Sequence, residues 1–76
     1  MIIAFNRSNT FVNFDSVEAM CGKQSGDGNY YIEFDFKPGE RSYYRHTFWE
    51  KENYDLAMSK IRDAFKKHKR YIEIDG

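Results

Sequence analysis

The side chains in this sequence that could do chemistry are few. Cys21 and His46 are of the types that form a thiolate–imidazole pair, in which a base activates a sulfur nucleophile. Nothing in their spacing brings them together, and a lone cysteine behaves as a small buried hydrophobe more often than as a nucleophile. Glu33 with Asp35, and Glu73 with Asp75, are carboxylates two residues apart. In a strand each pair shares a face, but acid–base work needs one carboxyl desolvated, and an outward, solvated face explains the pairs better. Asp27-Gly28-Asn29 opens like a calcium loop, yet Tyr31 stands where a third oxygen ligand belongs. No GxSxG, HExxH or GK[ST] phosphate loop is present. A single cysteine can form neither an internal disulfide nor a CxxC metal site. These residues predict a protein that is not an enzyme, with no catalytic residue, metal site or cofactor.

Recognition is the better-supported chemistry, and it depends on which aromatic residues are left outside the core. Of 76 residues, 7 are Phe, 6 Tyr and 1 Trp, whereas only nine are Ile, Leu or Val. The clearest strand is Tyr30 to Lys37. Tyr30, Ile32, Phe34 and Phe36 take one face, and Tyr31, Glu33, Asp35 and Lys37 take the other. Pro38-Gly39 turns the chain into a second strand, from Arg41 to about Phe48. A two-residue loop would place Arg41 and Arg45 on the core face, which is costly. A three-residue loop, Pro38-Gly39-Glu40, instead sets Phe34 near Tyr44, Ile32 near His46 and Tyr30 near Phe48. On the outer face it pairs Glu33 with Arg45 and Asp35 with Tyr43. The outer face then displays Tyr31, Arg41, Tyr43, Arg45 and Trp49. Tyrosine, tryptophan and arginine are the residues enriched at interface hot spots, so these five are the candidate protein-binding residues.

The remaining elements follow from period and punctuation. Residues 2–5 and 10–14, separated by Asn6-Arg7-Ser8-Asn9, predict a hairpin. Val17 to Cys21 suits a third strand, or a continuation of the second bent at Asp15, and the glycine-rich stretch from Gly22 to Asn29 predicts a loop. From about Lys51 the period becomes helical: Tyr54, Ala57, Met58, Ile61, Ala64, Phe65 and His68 form one apolar stripe. Leu56 falls opposite that stripe. Tyr71 to Asp75 alternates again and predicts a short final strand at a sheet edge. The expected architecture is α+β: a single domain over residues 1–76, with an antiparallel sheet of four to five strands. One amphipathic C-terminal helix packs on one sheet face, and the short strand follows it. The expected core aromatics are Tyr30, Phe34, Phe36, Tyr44, Phe48, Tyr54 and Phe65.

The formal charge is zero overall, but it divides into −2 over residues 1–50, +4 over 51–70 and −2 over 71–76. Lys60, Lys66, Lys67, Lys69 and Arg70 are therefore the candidate nucleic-acid contacts. In this alternative function, a single strand would stack on exposed aromatics while the lysines attract phosphate. The opening Met1-Ile2-Ile3-Ala4-Phe5 is too short for a signal core or a membrane span. With the lone cysteine it predicts a cytoplasmic protein without membrane contact. The partner would be another protein, or a second copy in a homodimer.

The segments Thr10-Phe11-Val12-Asn13-Phe14-Asp15-Ser16-Val17-Glu18 and Tyr31-Ile32-Glu33-Phe34, followed by the late helix, resemble small proteins of phages and integrated elements in low-GC Gram-positive bacteria. The resemblance is one of architecture and carries over no defined activity; the expected role is a binding module, accessory or inhibitor-like, of a mobile element. Strands followed by a helix also look like the small coactivator-type proteins that grip single-stranded DNA as dimers. This chain departs from them by its terminal strand and its lack of a basic sheet.

Overall fold

The computed structural model describes residues 1–39 and 42–76. Among these residues six strands and one α-helix follow in order: β1 (Ile2–Phe5), β2 (Thr10–Asn13), β3 (Val17–Gln24), β4 (Tyr30–Phe36), β5 (Tyr43–Phe48), α1 (Lys51–Lys66) and β6 (Tyr71–Ile74). The fold class is α+β, as expected, but the expected single sheet of four to five strands is divided. Three strands in the order β2-β1-β6 form one sheet, and β3-β4-β5 form a second. Two features cause the division. First, the 3-10 turn Phe14–Ser16 redirects the chain after β2, held by the Asn13 side chain, which accepts the Asp15 N–H at 3.0 Å. Second, β6 returns to pair with β1 in parallel, Ile3 opposite Ile72 and Phe5 opposite Ile74, so both edges of β1 are filled.

The second sheet is an antiparallel meander. Its β4–β5 register is Tyr30 with Phe48, Ile32 with His46, Glu33 with Arg45, Phe34 with Tyr44 and Asp35 with Tyr43, as the three-residue loop requires. Glu40 and Arg41 themselves lie outside the described residues. β3 runs longer than expected: Gly22-Lys23-Gln24 belong to the strand, and the turn narrows to Ser25–Asn29. There Asp27 accepts the Asn29 N–H at 3.1 Å and the Ser25 hydroxyl, and Gly28 takes φ +90°. These bonds hold the Asp27 carboxyl below its usual range, the Ser25 bond most strongly. The calcium-like residue is thus engaged in closing a turn.

Alternation gives each sheet one buried face, and α1 closes the core between them. Ile3, Phe5, Val12, Ile72 and Ile74 come from the first sheet, Ile32, Phe34 and Phe48 from the second, and Ala57, Ile61 and Ala64 from the helix. Phe5 crosses between sheets, edge-on to Phe34 at 5.8 Å and stacked on His46 at 4.3 Å. Tyr30, Phe36, Tyr44 and Tyr54 are half-buried around it, whereas Phe65, expected in the core, remains 46% exposed beside Phe14. The helix also stops before His68. The His68 N–H bonds the Phe65 carbonyl at 3.3 Å and the Lys69 N–H bonds the Ala64 carbonyl at 3.0 Å. This is a Schellman stop, with His68 at φ +53° where glycine is usual. Among the described residues, no helix is long and apolar enough to cross a membrane.

Candidate functional site

The outer face of the second sheet is a grid of three rows. Register and alternation place Ala19, Asp35 and Tyr43 in one row, Cys21, Glu33 and Arg45 in the next, and Lys23, Tyr31 and Thr47 in the third. Glu18, opposite no residue of β4, is the bulge that sets the phase of β3. Arg45 is the centre of the arrangement. Its Nε and Nη2 donate to Glu33 Oε1 at 3.2 and 2.8 Å, and its guanidinium lies 4.4 Å from the Tyr31 ring centroid and 5.8 Å from that of Tyr43. One arginine is therefore held by a carboxylate and two aromatic rings, a cation–π and charge-assisted arrangement.

The electrostatics follow from that contact. The Arg45 hydrogen bond holds the Glu33 carboxyl below its ordinary value, and the same bond raises Arg45. Asp35, two residues along the same face, moves the other way: partial desolvation raises it, and the neighbouring Glu33 adds to the rise. The pair is thus split in affinity for a proton, and both carboxylates lie on the outer face of the sheet rather than in the core. Two concavities lie elsewhere. One of about 490 Å³ runs between α1 and β6, and one of about 410 Å³ runs along the far side of α1. A flat grid with two tyrosines and charges of both signs suits a macromolecular surface better than a small molecule.

The structure brings together Tyr31, Tyr43 and Arg45 of the expected set. Trp49 is placed differently. The alternation of β5 ends at Phe48, and the Trp49 ring, 66% exposed, stacks on the guanidinium of Arg7 at 4.1 Å. Arg7 also donates to the Thr47 carbonyl, which pins the β1–β2 turn to the β5 edge. Arg41 lies outside the described residues. Cys21 ends the expected third strand, whereas Lys23 joins the grid because β3 continues through Gly22, where the sequence reads as the start of a loop.

The other candidates do not converge. Cys21 projects from the outer face and His46 from the inner one, so the sheet separates them. His46 is buried: its Nδ1 lies 2.9 Å from the Tyr44 hydroxyl, and its Nε2 lies 2.9 Å from the Gly76 carbonyl. The carbonyl, which only accepts, is closer to Nε2 than the Arg7 Nη2 donor at 3.4 Å, which assigns the proton to Nε2, leaves Arg7 as a charge neighbour and lets Nδ1 accept from Tyr44. The Tyr44 oxygen then takes a hydrogen bond from Ser8 Oγ at 3.0 Å. Burial lowers the imidazole pKa against the upward pull of Gly76, and Arg7 adds to the lowering. Among the basic residues, Lys67 and Lys69 both lean on Asp63, at 3.3 and 3.9 Å, while Lys60 and Lys66 line opposite grooves. No cluster of three or more potential metal ligands occurs among the described residues. No family model, curated protein or solved structure matches the chain.

Proposed function

We propose that this chain is a small, non-enzymatic binding module that recognises a protein partner through the outer face of β3–β4–β5. The observation that carries the reading is Arg45, clamped between Tyr31 and Tyr43 and bonded to Glu33. A long side chain already ordered in the free protein loses little entropy on binding, which favours a rigid recognition patch. The tyrosines would supply buried area, and the outer edge of the guanidinium would supply hydrogen bonds to a partner carbonyl or carboxylate. Such a role fits an accessory or inhibitor-like protein of a mobile element working in a reducing, cytoplasmic setting, where the free Cys21 would persist.

The test is affinity capture from native cell extract, with and without nuclease, comparing the wild type with a Tyr31→Ala/Tyr43→Ala variant and with Trp49→Ala. Capture that survives nuclease, is lost in the double variant and persists in Trp49→Ala supports the reading. Capture that nuclease abolishes would point instead to single-stranded nucleic acid. That outcome would have to come with a steep fall in affinity as salt rises.

A further inference from the structure

The first sheet has an edge that the fold leaves open. In a parallel ladder, alternate residues direct both backbone groups to the neighbour. The Arg70 and Ile74 carbonyls accept the Ile2 and Asn6 N–H groups at 2.8 and 2.9 Å. Tyr71, Glu73 and Asp75 therefore turn their N–H and C=O groups away from β1, and β6 pairs with no other strand among the described residues. An exposed row of this kind is a template for another strand. Beside it runs the groove of about 490 Å³ between α1 and β6, with Leu56, 61% exposed, on its helical wall.

The charges along this edge identify what fits it. Lys69 and Arg70 stand at its start, Glu73 and Asp75 near its end. A segment running antiparallel with the same order of charges would place plus against minus at both ends. We infer that the β6 edge pairs antiparallel with β6 of a second copy of this chain, joining two three-stranded sheets into one of six strands. Centred on Ile72, the pairing sets Lys69 against Asp75 of the second copy and Tyr71 against its Glu73, with the outward backbone groups of each pair facing one another. Centring on Glu73 would oppose two glutamates, which is unfavourable. The two-fold axis stands perpendicular to the sheet, so both helices lie on the same side and turn their Leu56 flanks toward each other.

This gives Leu56 a role that the monomer's core does not. A four-residue strand alone cannot supply the roughly 1,200–2,000 Å² that stable interfaces bury, so the helix flanks must join in. The association is accordingly weak and concentration-dependent. The surface is separate from the grid around Arg45, and either can hold without the other.

Sedimentation velocity over a wide concentration series tests the inference, with the wild type, Lys69→Asp, Asp75→Lys and an equimolar mixture of the two variants. The wild type should move from one chain's mass toward two chains' mass. Each variant alone opposes like charges and should self-associate about tenfold or more weakly, and the mixture should recover, because each variant then supplies the charge the other lacks. Glu73→Pro removes an outward N–H without touching the β1 ladder and should also abolish the dimer while circular dichroism stays native. A wild type that remains monomeric throughout would overturn the inference. So would variants that dimerise as well as the wild type, or a mixture that does not recover.

Discussion

Replacing Gly22 with alanine puts a methyl group where the Tyr54 side chain already lies. A Cβ built on Gly22 would overlap the Tyr54 hydroxyl and stand 3.0 Å from Cζ and 3.2 Å from Cε1. The ring cannot swing away freely, because it packs against Tyr30 at 5.2 Å and Phe48 at 6.0 Å between centroids. Forcing an extra carbon into such a site costs about 1–3 kcal/mol, while alanine in a strand recovers roughly 0.5–1 kcal/mol over glycine. The net loss is up to about 2.5 kcal/mol, which for a domain of this size lowers the melting midpoint by up to roughly 10–20 °C. The assay is a double-mutant cycle in chemical denaturation. Tyr54→Phe removes the overlapping oxygen but keeps the two ring carbons, so in that background Gly22→Ala should cost less without becoming free, a coupling of about 1 kcal/mol. An equal cost in both backgrounds would refute the close approach of the Tyr54 ring to Gly22.

Three further outcomes are expected. The folded His46 imidazole titrates below its ordinary value of 6.5, so the unfolded chain binds more protons just beneath that pH. Stability is therefore complete above 6.5, falls as the pH drops through that window and levels once the folded imidazole protonates; His46→Gln should flatten this slope in denaturation curves taken across it. His68→Gly removes the strain of a side chain at φ +53° and should stabilise by up to about 1 kcal/mol, read as a higher denaturation midpoint. Phe34→Ala, at a fully buried position, should cost about 3–5 kcal/mol. Tyr43→Ala, 52% exposed, should stay within about 1 kcal/mol, and similar losses for the two would place Tyr43 in the core.

Local pattern was enough to read the helix, the hairpin and the β4–β5 register. The register was legible because one loop length buries Arg45 and the next exposes it, a large energetic difference within a dozen residues. The division into two sheets was not, since it depends on β1 and β6 meeting in parallel across nearly the whole chain. Gly22 reads as punctuation in the sequence, although here it marks the close approach of the Tyr54 ring. Strand alternation continued one residue past the end of β5 puts Trp49 on the grid, but there Arg7, distant in sequence, decides its position instead. Leu56 is unexplained by any amphipathic pattern of one chain and becomes reasonable only beside an open strand edge.

The central claim is that the Tyr31–Arg45–Tyr43 grid is the surface that meets a partner. Hydroxyl-radical footprinting of the captured complex against the free protein tests it most directly, because both tyrosines are reactive and lie on the proposed contact. The account predicts that Tyr31 and Tyr43 become protected while Phe11 and Trp49 keep their reactivity. Unchanged reactivity at Tyr31 and Tyr43, with protection elsewhere, would contradict it.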